Sequence, residues 1–213
     1  MVQQWLILTF LVFLSGNVLS QDERYYRQIF KGELVTEKET VVDSPITQFN
    51  VKGSLYKFDL NADGTDESLE PQKRDGVDWL EIRDFSERKL FEAKLLAMGA
   101  ESTLYKIKVV QISPKVKSLI LFLDEGVTKA RRFESTARIF VLSFENNDLS
   151  TLRLTQGPHF FHEKEGQREQ YGRRDYVVNV YDIDGDGVRE IAIQYNHIQR
   201  IMKYLGSGEW SRF

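Results

Sequence analysis

Apolar and polar residues alternate along most of this 213-residue chain, and a period of two is the signature of half-buried β-strands. Trp79–Phe85 and Lys89–Leu95, separated by Ser86-Glu87-Arg88, predict a β-hairpin. Arg138–Phe144 and Thr151–Leu154, joined through Glu145-Asn146-Asn147-Asp148, predict a second. Ile191–Tyr195 and Ile201–Leu205 predict a third around Asn196-His197. The four prolines stay out of the middle of these runs, so each run can keep its hydrogen-bond ladder. The pattern predicts an all-β, mainly antiparallel fold.

Three regions share a common plan. Each opens with an alternating strand: Leu55–Phe58, Leu104–Val110 and Tyr176–Tyr181. A polar loop and further strands follow, giving units over 51–103, 104–156 and 176–213. The loop that begins at Asp59 matches the one that begins at Asp182. Val110–Ser118 takes the corresponding place in the middle unit, without carboxylates. Gly157–Asp175 is a charged insertion with four basic and four acidic residues, read as a long surface loop or a short helix. The third unit lacks a strand, and Glu39–Val42 or Ile46–Val51 is expected to complete it. The whole is a propeller-like repeat of about three four-stranded units. Closed propellers have about four to eight blades, so the expectation is an incomplete or sandwich-like form.

The N-terminal end breaks the alternation. Trp5–Leu14, W-L-I-L-T-F-L-V-F-L, is an apolar run far shorter than the ~20 residues of a membrane-spanning helix. Val18 and Ser20 suit the −3 and −1 positions of signal peptidase, which predicts cleavage between Ser20 and Gln21. Met1–Gln4 carries no Lys or Arg, a departure from the usual leader. Residues 1–20 are thus expected to direct export to the periplasm or beyond, with 21–213 as a single domain. No later apolar run reaches the length of a membrane span.

Composition narrows the chemistry. The chain has no cysteine, which excludes disulfides, thiolate metal sites and cysteine nucleophiles. With 29 basic and 32 acidic residues the net charge is −3, so nucleic acid finds no bulk attraction. An exported chain without disulfides relies on its core or on metal.

Two acidic loops supply that metal chemistry. Asp182-Ile183-Asp184-Gly185-Asp186-Gly187-Val188-Arg189-Glu190 offers carboxylates from Asp182, Asp184, Asp186 and Glu190, with the Val188 carbonyl between them. Calcium takes about six to eight oxygens in flexible geometry, whereas magnesium demands a tighter octahedron. The earlier loop, Asp59-Leu60-Asn61-Ala62-Asp63-Gly64-Thr65-Asp66-Glu67, repeats the spacing. It offers Asp59, Asn61, Asp63, the Thr65 carbonyl and Glu67, and neutral Asn61 predicts the weaker site. An EF-hand is excluded because strand patterns flank both loops, Pro71 falls where an exiting helix would start, and Ile193 occupies the twelfth position of the second loop.

D-L-N-A-D-G-T-D-E and D-I-D-G-D-G-V-R-E resemble the calcium loops of FG-GAP and VCBS-type repeats, found in integrin-like β-propellers and exported bacterial proteins. The resemblance covers two stretches of about 20–40 residues. It implies Asp59, Asn61, Asp63 and Glu67, and likewise Asp182, Asp184, Asp186 and Glu190, as ligands of two calcium ions. Neither Phe-Gly nor Gly-Ala-Pro accompanies the loops.

The functional expectation is an exported calcium-binding protein without catalytic activity. Calcium would rigidify its strand–loop–strand corners, and the module would serve binding, adhesion or the structure of the envelope, with a protein or glycan as partner. The rival is a secreted or periplasmic hydrolase using His159, His162 and Glu163 from the insertion, which requires those three groups to line one pocket. No G-x-S-x-G elbow, P-loop, dinucleotide fingerprint or H-E-x-x-H motif occurs.

Overall fold

In a computed structural model the described residues are 47–50, 55–99, 101–129, 133–165 and 171–211. They belong to the second of two compact units, Ser44–Phe213, the first being Met1–Asp43. The expected leader and Glu39–Val42 lie outside the described residues.

Every element assigned along these residues is a strand, and every pairing is antiparallel. In chain order they are β1 Thr47–Asn50, β2 Tyr56–Phe58, β3 Glu67–Arg74, β4 Val77–Arg83, β5 Lys89–Leu95, β6 Thr103–Ser113, β7 Val116–Lys129 and β8 Glu134–Glu145. Then come β9 Asp148–Glu165, β10 Tyr171–Asp175, β11 Val177–Tyr181, β12 Glu190–Tyr195, β13 Ile198–Met202, β14 Tyr204–Gly206 and β15 Glu209–Trp210. The all-β antiparallel expectation holds, and the hairpins of the sequence are β4–β5, β8–β9 and β12–β13, the last with its second strand at Ile198–Met202 and not Ile201–Leu205, because Tyr204–Gly206 pairs with β15 instead.

The strands form a four-stranded sheet β2-β3-β4-β5, a six-stranded sheet β1-β6-β7-β8-β9-β10, a three-stranded sheet β11-β12-β13 and a ribbon β14-β15. Two cores hold them together, one on each face of the six-stranded sheet. Leu119, Leu121 and Leu123 of β7 and Phe140, Leu142 and Phe144 of β8 meet Leu69, Leu80 and Ile82 of the four-stranded sheet. Ile120 and Phe122 of β7 and Ile139 and Val141 of β8 point the other way, to Ile191, Ile193, Met202 and Trp210. Alternate side chains leave opposite faces of a strand, so a strand covered on both sides must be apolar throughout. The runs Leu119–Leu123 and Ile139–Leu142 meet that demand. Inside the second core, Trp210 Nε1 donates to Ser143 Oγ (2.8 Å), which also bonds Ser118 (2.7 Å), pinning the terminal ribbon to the central sheet.

The structure departs from expectation at three further places. The described parts of the insertion, 157–165 and 171–175, are neither surface loop nor helix, since they lie in β9 and β10, which pair with each other. Phe160 is buried in the second core with Phe161 packed against that core, and this apolar pair holds the charged segment to the sheet. Val110–Ser118 is not an open loop: β6 continues to Ser113, and Pro114-Lys115 turn directly into β7. Finally, Thr47–Asn50 pairs with Lys106–Val109 of β6 and extends the central sheet, not the third one.

Candidate metal centre

The two acidic loops are the connections β2–β3 and β11–β12, strand–loop–strand in both cases. Their internal hydrogen bonds repeat position by position. The buried carboxylate at the end of each loop accepts from the amide of the second residue, Leu60 N to Glu67 Oε2 and Ile183 N to Glu190 Oε2, both 2.8 Å. The first aspartate accepts from the sixth residue, Gly64 N to Asp59 Oδ2 and Gly187 N to Asp182 Oδ2, both 2.9 Å. The fifth accepts from the seventh, Thr65 N to Asp63 Oδ1 (2.8 Å) and Val188 N to Asp186 Oδ1 (2.7 Å). Positive φ falls at the same two positions: Ala62 (63°) and Gly64 (88°), Gly185 (77°) and Gly187 (84°). The left-handed turn at these positions curls each loop inward, while Leu60 and Ile183, exposed by 1% and 3%, plug its base.

The loops differ where a cation would bind. In the second, one carboxylate oxygen each from Asp182, Asp184 and Glu190 lie within 4.8 Å of one another. This all-oxygen donor set can hold a hard metal ion. Among the described residues these are the acidic side chains that gather so closely. Asp186, occupied with the Val188 amide, is not part of the triad, and Val188 packs its side chain against the second core. In the first loop Asn61 stands in place of Asp184, and its amide donates to Asp63 Oδ2 (2.8 Å). Thr65 adds its hydroxyl to Asp63 Oδ1 (2.5 Å). Both oxygens of Asp63 are therefore engaged within the loop. The hydrogen bond from Thr65, then that from Asn61, holds this carboxyl below the ordinary range.

Burial, neighbouring charge and a lysine set the electrostatics of the second loop. Burial raises the Glu190 carboxyl above its ordinary range; the Ile183 amide pulls against this, and the charge of Asp184 adds to it. Lys203, just after β13, reaches in with its ammonium 2.7 Å from Asp184 Oδ2 and 4.0 Å from Glu190 Oε1. Its hydrogen bond holds Asp184 below the usual carboxylate range. Glu67 is raised in the same way, chiefly by burial, with the Leu60 amide opposing and the charges of Asp63 and Asp59 adding to it.

Both loops are tied to the β6–β7 hairpin of the central sheet. Lys117 Nζ donates to the Leu60 carbonyl (2.6 Å), and Arg189 N donates to the Ile112 carbonyl (2.8 Å). The carboxylate-free turn of the middle sheet thus lies between the two acidic loops.

The histidines of the insertion follow a different course. In β9, Phe160 is an extra residue between the Arg138–His159 and Ala137–Phe161 pairs, and Gly157-Pro158 oppose the single residue Ile139. Both are β-bulges. The one at Phe160 cancels the normal alternation and turns His159 and His162 to the same face, where both line a cavity of about 400 Å3. Glu163 does not line it, and its carboxylate accepts from the Tyr171 hydroxyl instead. Behind His159 stands Glu125, fully buried, which sequence reading passed over. It accepts from Arg138 Nε, Thr136 Oγ1 and His159 Nε2, each at 2.7 Å. His162 Nε2 meets Glu134 Oε1 at 3.0 Å. Glu125 is the second of two acidic residues that follow the apolar run Leu119–Leu123, and it is the extra residue of a bulge between the Asp124–Ala137 and Gly126–Thr136 pairs.

Among the described residues no helix is long and apolar enough to cross a membrane. The chain matches no protein-family model, no curated protein and no solved structure.

Proposed function

We propose that this is an exported calcium-binding β-repeat protein, in which calcium rigidifies strand–loop–strand corners of a module that binds a protein or glycan or builds the cell envelope. The gathering of Asp182, Asp184 and Glu190 within 4.8 Å carries this reading. Calcium accepts an irregular all-oxygen donor set more readily than magnesium does. The repeated hydrogen-bond plan supports assigning the same role, at lower affinity, to Asp59, Asn61, Asp63, Thr65 and Glu67. Saturating calcium at ~100 times its Kd would add ~2.7 kcal/mol to a fold without disulfides. Metal analysis of protein purified without chelator tests the reading: bound calcium, at up to two ions per chain, is expected, and a metal-free protein after dialysis against calcium overturns it. Export predicts a secreted or periplasmic chain beginning at Gln21; an intact Met1 in that fraction contradicts it.

The rival hydrolase has one observation in its favour, the two imidazoles on one cavity. Its third group, Glu163, stands apart from that cavity.

A further inference from the structure

The cavity that His159 and His162 share has a charge balance that its own residues leave open. Glu125, behind its wall, is taken up by Arg138 and His159. Glu134, at the rim, is taken up by Lys129 (2.6 Å) and His162. Two further cations line the space, Arg174 from β10 and Arg200 from β13, and neither meets a carboxylate among the described residues. The contrast with the adjacent arginine is instructive. Arg173 pairs with Asp175 at 3.1 Å and stacks over Phe161, while Arg174, one residue on, points to the opposite face and into the cavity. The apolar part of the lining comes from Met98 and from Tyr176, whose ring lies 6.0 Å from the Arg200 guanidinium.

Guanidinium forks match the oxygens of carboxylate and phosphate. A cavity of about 400 Å3 is within the usual size of small-molecule sites, which combine apolar walls with a few polar groups. The His159 ring is held by the buried Glu125, to which its Nε2 donates at 2.7 Å. Such buried support is what keeps a binding wall in place.

We propose that this cavity binds a small organic anion, its carboxylate or phosphate held by Arg174 and Arg200 and its apolar body seated against Met98 and Tyr176. The site is separate from the acidic loops and does not depend on the calcium reading.

Calorimetric titration of the whole protein with phenyl phosphate, benzoate and phenol, in chelator, tests it. At least one of the two anions should saturate a single site at millimolar concentration or below, and the preferred one identifies the charged group. Phenol should bind far more weakly. The double variant R174Q/R200Q should lose about tenfold or more in affinity with an unchanged melting temperature, while R88Q, at an exposed arginine paired with Asp84, should bind as the parent does. Absence of binding by both anions, phenol binding as tightly as they do, or full affinity in R174Q/R200Q would overturn the proposal.

Discussion

Glu125 is the residue whose surroundings say most about how this fold tolerates charge. It is 0% exposed, and a carboxylate there would be strongly disfavoured without partners. Burial does push its carboxyl upward, but hydrogen bonds from His159 and Thr136 and the charges of Arg138 and His159 outweigh that and bring it down to about 2. A carboxyl lowered in the folded state stabilises the protein above its unfolded value, and that stability is lost as pH falls toward the folded value. Stability should therefore decline as pH drops from about 4.5 to about 2. In E125Q this limb of the acid-unfolding curve should flatten. At neutral pH the variant should lose ~3–5 kcal/mol, because Arg138 keeps its charge in a buried position without its partner. Denaturant titrations across that range check both, and superimposable curves would refute the assignment. Gly99 belongs to the same cluster. A Cβ there would lie 2.4 Å from the Glu125 carbonyl, so glycine allows the Met98–Gly99 segment to pass over the bulge and the Met98 amide to reach Glu125 (3.2 Å).

At the scale of single elements, the acidic loops and three hairpins were legible because their signals are local. Carboxylate spacing, glycines at the turning positions and alternation with a period of two all lie within a few residues of one another. The bulges of β9 were not legible, since a bulge is defined by the strand across from it, and β8 supplies that register. Lys203 was missed for a similar reason: it approaches Asp184 from 19 residues downstream. Its ammonium lies 2.7 Å from Asp184 and 4.0 Å from Glu190, so under the proposed function lysine and calcium would compete for the triad. K203Q should bind calcium about tenfold more tightly than the parent, and its calcium-free form should melt at a lower temperature. Calorimetry measures the first and a melting curve the second. Unchanged or weaker calcium affinity would show that Lys203 supports the site and does not compete for it.

Across the whole of the Ser44–Phe213 unit, three layers of sheet follow one another in sequence order, with the six-stranded sheet covered on both faces. Alternation revealed strands of the outer sheets. The central sheet announced itself differently, through the unbroken apolar runs of β7 and β8. Those runs were the sign of a third layer, and period-two reasoning alone undervalued them. Three units in sequence became three unequal sheets because β1 and the β9–β10 hairpin both add to the middle one.

The acidic loops sit at the corners that join this stack, each tied to the β6–β7 hairpin, so an ion bound there would brace the architecture as a whole. The most direct test is the melting temperature of the protein with excess calcium and with chelator, in parallel with D184A. The account predicts a rise of several degrees with calcium for the parent and little or none for D184A. Identical melting curves for the parent in calcium and in chelator would contradict it.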